Sequence, residues 1–460
     1  MNKNIFIHFV LFIFLILSSL TVAGDRNDNN PLAPSDSRYD TEVVKGFGIS
    51  PQGFPLDYSK LADFYTEIGG MVNGGVMWNG SWRDDVFEGT DAGAIPAAAA
   101  AIIQSSNTFN FTPIEVFGWR SGATLFLNVP GNQTNDWTNT EAKNLFLSML
   151  VDFATIYKPP FVFLGNENDF YYEQNPADYA NWISYYNSAY DAIKATSSAT
   201  LVGPVFNFEH MAGAGVLNGW TTPYWGALDA HDLGKIDIVG VTVYPWFNYA
   251  SARSVPSNYL DPLASRINSK PIAITETGWP AENLAGLNPT WETSEAAQVA
   301  YLLQLSAMPE GKNIRMVNWL FLYQMADPGG SPLEWKLFGS VSIRDGSGKK
   351  RTVYDLWLSY HPTLVEDTSP EMPKVFNLLQ NYPNPFNSET LIAYQLPRAS
   401  EVEISVFNLQ GQKVATLARG HQIAGEYKLL WDASGLPSGL YLYRIQMGDF
   451  IQTKKAVLLK

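Results

Sequence analysis

The chain has 460 residues, 46% of them apolar, which is long enough for two or three folded domains with large cores. It contains no cysteine, which excludes disulfides and thiolate metal sites, and its five histidines show no metal-ligand spacing. The formal net charge of −14 argues against a nucleic-acid partner.

The first 23 residues have the features of a signal peptide. A basic residue, Lys3, precedes an apolar run at 5–17, and the small residues at 21–23 provide a cleavage site. An uncleaved membrane anchor is the alternative, but the run is short for a span that needs about 20 residues. Residues 24–42 are polar and rich in Asn, Asp and Pro, and they predict a disordered leader.

Strand-like segments alternate with helical patterns between residues 43 and 360. The predicted strands are 44–49, 71–77, 124–129, 161–164, 201–206, 236–243, 271–275 and 316–322. Eight strands separated by helices predict parallel βαβ units and therefore an α/β fold, a closed (β/α)₈ or TIM barrel. A doubly wound open sheet is the alternative, but no Gly-rich phosphate fingerprint supports it.

Two of these strands end in a glutamate. The buried strand at 161–164 is followed within three residues by Glu167, and the apolar run at 271–275 leads directly into Glu276. Active sites of TIM barrels lie at the C-terminal ends of the strands, so both carboxyls are expected at one rim. Cleavage of a glycosidic bond needs one protonated and one ionised carboxyl. The pattern predicts Glu167 as acid/base and Glu276 as nucleophile; two structural acids in ion pairs are the alternative.

Other residues at predicted strand ends suit a sugar site. Asn166 can hydrogen-bond a sugar 2-hydroxyl, Tyr244 can orient Glu276, and Trp319 can form a floor beneath the sugar ring. Trp246 follows the sixth strand with Tyr244 and is a further candidate, and weaker candidates for substrate contact are Trp78, Asn128, Trp279 and Gln324. A single tryptophan is more often part of a core, but several that follow strands favour a shared aromatic cleft.

The pattern changes after the barrel. Residues 361–374 contain three prolines and no helical period, which predicts a linker. Short segments of alternating apolar and polar residues follow at 391–396, 401–408, 412–417, 425–431, 439–447 and 449–458. They predict a small antiparallel β-sandwich over residues 375–460.

The residues around the two glutamates carry a resemblance. Gly-Asn-Glu at 165–167 and Thr-Glu-Thr-Gly-Trp-Pro at 275–280 resemble the retaining (β/α)₈ glycoside hydrolases of clan A type. With Val-Tyr-Pro-Trp-Phe at 243–247, the second motif is most similar to plant-type β-1,3-glucanases and arabinogalactan endo-β-1,4-galactanases. The resemblance covers residues 43–360 and implies acid/base catalysis by Glu167 and nucleophilic attack by Glu276.

A second resemblance lies in the C-terminal segment. Three motifs are similar to the C-terminal sorting domain of type IX secretion substrates. They are Asn-Tyr-Pro-Asn-Pro-Phe-Asn at 381–387, Val-Phe-Asn at 406–408 and the Gly-rich motif at 435–441. This resemblance implies contact with the secretion machinery and a secreted or cell-surface location in Bacteroidota-like bacteria. A sugar-binding sandwich is the alternative, disfavoured because the segment has a single tryptophan, Trp431.

The sequence therefore predicts a secreted, retaining glycoside hydrolase that cleaves β-glycosidic bonds by double displacement. We expect a monomer that acts on a β-linked polysaccharide or oligosaccharide, with no cofactor, no metal and no nucleic-acid partner. The alternative from another class is a non-catalytic polysaccharide-binding surface protein on a glycosidase-like barrel. Such proteins usually lose one of the two acids, and both are present here.

Overall fold

The computed structural model describes residues 42–83, 93–284, 286, 289–309, 311–360, 376–397, 400–422, 425–447 and 450–460. The chain divides into two compact units, 1–365 and 366–460. The predicted signal peptide, the predicted leader except residue 42, and the predicted linker lie outside the described residues.

Parallel strands of the first unit close into a barrel, which confirms the predicted fold. They are β1 (Val44–Gly48), β2 (Gly74–Ser81), β3 (Thr112–Gly118), β4 (Phe161–Leu164), β5 (Leu201–Asn207), β6 (Val239–Val243), β7 (Ile272–Thr277) and β8 (Ile314–Trp319). Each strand pairs with its neighbours in chain order, and β8 closes the barrel against β1. The C-terminal ends of β4 and β7 therefore open onto the same rim.

The third strand differs from the prediction. The sequence predicts a strand at 124–129, but β3 forms at Thr112–Gly118, and Thr124–Leu125 pairs only with Arg120–Ser121 in a small hairpin. The misassignment has a physical cause, because Pro113 and Glu115 interrupt the apolar run of β3 although both are buried there.

Helices surround the barrel. They are α1 (Leu61–Gly69), α2 (Ala97–Phe109), α3 (Thr140–Tyr157), α4 (Asn168–Gln174), α5 (Pro176–Thr196), α6 (Phe208–Ala212), α7 (Gly226–Asp229), α8 (Asp261–Ala264), α9 (Glu295–Leu305), α10 (Leu333–Gly339) and α11 (Val353–Ser359). A small apolar cluster that includes Met77, Val116 and Phe163 fills the barrel, and a larger cluster lies between strands and helices. The strands are thus buried on both faces, which explains their continuous apolar character.

The second unit contains two antiparallel sheets. Their strands are β9 (Asn377–Leu378), β10 (Glu389–Leu396), β11 (Ser400–Phe407), β12 (Lys413–Gln422), β13 (Gly425–Asp432), β14 (Gly439–Met447) and β15 (Phe450–Leu458). One sheet has the order β9-β10-β13 and the other β12-β11-β14-β15. Trp431 is buried against Phe386 and Tyr441. Its ring belongs to the core of this unit, so it offers no open platform for a sugar.

Helices that could span a membrane and clusters that could bind a metal ion are both absent from the described residues. None of the helices within these ranges is long and apolar enough to cross a bilayer. The same ranges hold no cluster of three or more His, Asp or Glu side chains arranged to hold a metal ion.

Candidate active site

Glu167 lies in a tight turn between β4 and α4. Gly165 and Glu167 both adopt left-handed backbone, with φ of 74° and 51°. A side chain at position 165 would lie 2.1 Å from Oδ1 of Asn168, so glycine is required there. Left-handed backbone is unfavourable for glutamate, and such strain is concentrated at functional sites. The guanidinium of Arg120 donates to the carbonyl oxygen of Glu167 and helps to hold this conformation.

The carboxyl of Glu167 is buried at the mouth of the barrel, with 4% of the residue exposed. Its Oε1 accepts hydrogen bonds from Nδ2 of Asn207 at 3.0 Å and from the hydroxyl of Thr242 at 2.9 Å. Asn207 ends β5 and Thr242 belongs to β6, so neighbouring strands fix the position of this carboxyl.

A β-bulge directs Glu276 into the barrel mouth. Ala273 belongs to the interior cluster, whereas Ile272 and Ile274 pack on the outside. Strict alternation would therefore turn position 276 outward. Between β6 and β7, however, Val241 pairs with Ile274 and Thr242 pairs with Glu276, so one extra residue is inserted in β7. Bulges of this kind re-aim side chains beside active sites.

Three side chains hydrogen-bond the carboxyl of Glu276. The hydroxyl of Tyr244 donates to Oε2 at 2.9 Å, and Nδ2 of Asn79 donates to Oε1 at 3.1 Å. The side chain of Asn166 also bonds this carboxyl. The three donors come from β2 and from the ends of β4 and β6, so the barrel rim encloses Glu276.

The two carboxyls interact electrostatically. Burial raises the pKa of Glu276 to about 7, with a further increase from the charge of Glu167 and an opposing effect of the three donors. Burial also raises the pKa of Glu167, and the charge of Asp169 adds to this effect. The hydrogen bonds from Asn207 and Thr242, and the charge of Arg120, oppose that increase. The pair can thus share one proton near neutral pH.

A second layer of polar residues supports the acid. Oδ1 of Asp169 accepts the backbone N–H of Asn207 at 2.7 Å, and Oδ2 lies 2.6 Å from Nδ1 of His210. The other ring nitrogen of His210 lies 3.2 Å from the carboxylate of Glu173. Asn207 is therefore held at its backbone while its side chain contacts Glu167.

Glu209 is a further buried carboxyl beside the site. Its Oε1 accepts the backbone N–H of Tyr244 at 2.9 Å and the hydroxyl of Tyr259 at 3.0 Å. Burial raises the pKa of Glu209 to about 8. It therefore fixes the backbone of the tyrosine that contacts Glu276, and it is neutral over much of the physiological range.

The tryptophans predicted to contact sugar are buried. Trp78, Trp246, Trp279 and Trp319 are each at most 2% exposed. The indole N–H of Trp319 donates to Val341, that of Trp279 donates to Glu292, and the ring of Trp78 packs on Phe117. The expected sugar floor at Trp319 and the expected aromatic cleft stay predictions, and in the structure neighbouring side chains cover each of these rings.

Asn128 is also not at a strand end. It lies in the loop after the small hairpin, where its backbone N–H donates to Asn135 at 3.2 Å and its carbonyl accepts from Arg83. Of the predicted substrate-binding residues, Asn166 and Tyr244 contact Glu276. Three further site residues were not predicted, although each is a polar residue at or near the C-terminal end of a strand: Asn79, Thr242 and Asn207.

Comparison with known families finds a match in each unit. Residues 143–320, from α3 through β8, match the model of glycosyl hydrolase family 53, and residues 380–459 match the secretion system C-terminal sorting domain. The chain carries a glycoside hydrolase domain followed by a sorting domain. The resemblances found in the sequence are thereby confirmed, and the sorting domain indicates a secreted or cell-surface protein of bacteria.

Solved structures support the fold of the glycoside hydrolase domain. An exo-β-1,4-mannosidase from Opitutaceae bacterium strain TAV5 is 14% identical over 69% of this chain and 59% of its own, with a TM-score of 0.50. A family 39 glycoside hydrolase from Bacteroides cellulosilyticus WH2 is 14% identical over 85% of this chain and 81% of its own, also with a TM-score of 0.50. This chain thus spans less than two thirds of the mannosidase. The comparison with curated protein sequences gave no significant match.

Proposed function

We propose that the glycoside hydrolase domain is a retaining β-glycanase that uses Glu276 as nucleophile and Glu167 as acid/base. The observation that supports this most is the unequal hydrogen bonding of the two carboxyls. Glu276 accepts bonds at both oxygens from Tyr244 and Asn79, so neither oxygen is open to carry a proton. Glu167 accepts both of its bonds at Oε1, which leaves Oε2 to carry the proton.

In the first step the carboxylate of Glu276 attacks the anomeric carbon. The proton of Glu167 passes to the leaving glycosidic oxygen as its bond to that carbon breaks, and a glycosyl ester forms on Glu276. This step removes the negative charge of Glu276. Glu167 is left as a carboxylate, because its proton has passed to the leaving group, and it can then act as a base.

In the second step Glu167 acts as the base. Its carboxylate takes a proton from water, the water oxygen attacks the anomeric carbon, and the ester bond to Glu276 breaks. Two inversions give net retention of the β configuration. Asn166 is proposed to hydrogen-bond the sugar 2-hydroxyl in both transition states, a contact that strengthens as charge develops.

The substrate is proposed to be a β-linked polysaccharide outside the cell. β-1,4-Galactan is the first candidate, because the family 53 match covers β4 through β8 and both carboxyls. Product analysis on galactan, laminarin, lichenan and mannan tests this choice. Proton NMR of the first products tests retention, and an initial α-anomer would contradict it.

The alternative of a non-catalytic glycan-binding protein makes a different prediction. It requires that neither carboxyl be needed for chemistry, so wild type and Glu276→Ala would be equally inactive on every glycan. Reducing ends released by wild type but not by Glu276→Ala would exclude it.

A further inference from the structure

A second pocket opens at the rim, among the segments that follow β5 and β6. It has a volume of about 560 Å³, and its walls come from α6, the segment 248–258 and α8. Among the residues that the structure describes, its lining includes neither of the catalytic carboxyls nor the side chains that bond them. A pocket of this size can enclose one or two sugar rings.

Four aromatic rings form one wall of this second pocket. Phe208 contacts Tyr259 edge to face at 5.1 Å and Trp225 at 6.5 Å, and Tyr249 contacts Tyr259 at 5.8 Å. Trp225 and Tyr249 are only half-buried, so part of each ring faces the pocket. Aromatic faces that remain accessible inside a pocket suit the C–H face of a pyranose ring.

The rest of the lining combines small apolar residues, such as Ala212 and Pro256, with a few polar side chains. Asn248 and Asn258 offer amide donors and acceptors. The carboxylate of Asp261 is paired with Lys312 at 2.6 Å. Arg266 lies 4.5 Å above the ring of Trp225 and is paired with an aspartate of α7 at 3.2 Å. Because these charges are compensated locally, the lining favours a neutral, hydroxyl-rich ligand over a phosphate or a uronate.

We propose that the second pocket is a subsite for a neutral hexose unit of the glycan, separate from the catalytic pair. This inference rests on the proposed function, since it assumes a carbohydrate substrate. The hydroxyl of Tyr259 donates to Glu209, which also accepts the N–H of Tyr244. Glu209 therefore links the wall of the pocket to the segment that carries Tyr244.

The test is calorimetry on the full chain with Glu276→Gln, which binds glycans without consuming them. β-1,4-Galactotetraose is the probe, with laminaritetraose and a tetrameric galacturonan as comparisons. We expect Trp225→Ala in this background to weaken one of two binding events about tenfold, the effect of losing one stacked ring. Tyr157→Ala is the matched control, because Tyr157 is a half-buried aromatic residue at the end of α3.

The outcomes separate the subsite from the proposed function. Two binding events, one of them sensitive to Trp225→Ala but not to Tyr157→Ala, support the subsite even if wild type hydrolyses none of the glycans. Hydrolysis by wild type with a single binding event, or with binding unchanged by Trp225→Ala, overturns the subsite alone. Equal binding of the galacturonan also overturns it, because the lining is argued to prefer a neutral ligand. Thermal unfolding of each variant verifies that it is folded.

A kinetic measurement adds an independent readout. The ratio of the KM for galactan to the KM for an aryl monoglycoside is expected to rise about tenfold in Trp225→Ala, because only the polymer can reach both sites. An unchanged ratio would overturn the subsite.

Discussion

The hydroxyl of Tyr244 donates a hydrogen bond of 2.9 Å to Oε2 of Glu276. Hydrogen bonds to an ionised carboxyl lower its pKa, whereas burial raises the pKa of Glu276 to about 7. The bond from Tyr244 thus opposes burial and keeps a usable fraction of Glu276 ionised at neutral pH.

Tyr244→Phe is expected to raise the pKa of Glu276, because it removes one donor to the charged form. Activity requires ionised Glu276 and is lost as the pH falls through its pKa, so the acidic limb of the kcat/KM profile should move to higher pH. The kcat/KM of the variant at neutral pH should be about tenfold or more below that of wild type. Tyr301→Phe is the control, since Tyr301 bonds the neighbouring Thr277 rather than Glu276. Identical profiles for wild type and Tyr244→Phe would contradict this role.

Glu276→Gly should lower hydrolysis by about 10⁴-fold or more, the usual cost of removing a nucleophile. Azide fits the space left by the side chain and can attack the anomeric carbon. Turnover of an activated aryl glycoside should therefore return with azide and give an α-glycosyl azide, detectable by NMR. Glu141→Gln is the control, because Glu141 is an exposed carboxylate in the first turn of α3 and bonds none of the site residues. Full activity of Glu276→Gly without azide would refute the assignment.

Glu167→Ala should affect substrates according to their leaving groups. A poor leaving group needs a proton from Glu167, so kcat for such a substrate should fall about 10³-fold. An activated phenolate needs no proton, so its glycosylation step should be much less affected. The measurement is the rate for a series of aryl glycosides plotted against the pKa of the leaving group. The slope should be steeper for Glu167→Ala than for wild type. The same slope in wild type and variant would exclude Glu167 as the acid.

The sequence was sufficient to predict the barrel and the two glutamates at strand ends, because most strands read as apolar runs and β4 and β7 lead into polar residues. It was not sufficient to place Trp319, since position alone does not tell the inner from the outer face of a strand buried on both sides. The bulge that turns Glu276 inward also leaves no sequence signal. Asn79 and Thr242 could have been found, as polar residues within otherwise apolar strands.

Glu115 gives a prediction about stability. It is fully buried on β3, and neither of its oxygens has a hydrogen-bond partner among the residues that the structure describes. Burial raises its pKa well above the ordinary value. Above about pH 4.3 the unfolded chain releases this proton while the folded chain retains it, so Glu115 destabilises the fold increasingly as the pH rises.

Glu115→Met should therefore increase the free energy of unfolding by about 1–3 kcal/mol at pH 7, with a smaller gain at pH 4. Urea unfolding at both pH values measures this difference. Glu141→Met is the control, because Glu141 is exposed on α3. Its substitution should not give an increase in the free energy of unfolding that is larger at pH 7 than at pH 4. A variant less stable than wild type at pH 7 would contradict the prediction.

The central claim, that Glu276 becomes covalently bonded to the sugar, is tested most directly by trapping the intermediate. An activated 2-deoxy-2-fluoro-β-glycoside of the sugar that the enzyme cleaves forms the glycosyl ester but slows its hydrolysis. Mass spectrometry of the proteolysed protein should find one fluoroglycosyl group, on the peptide that contains Glu276. A label on Glu167 or another residue would contradict the account, as would no label while wild type hydrolyses the unmodified glycoside.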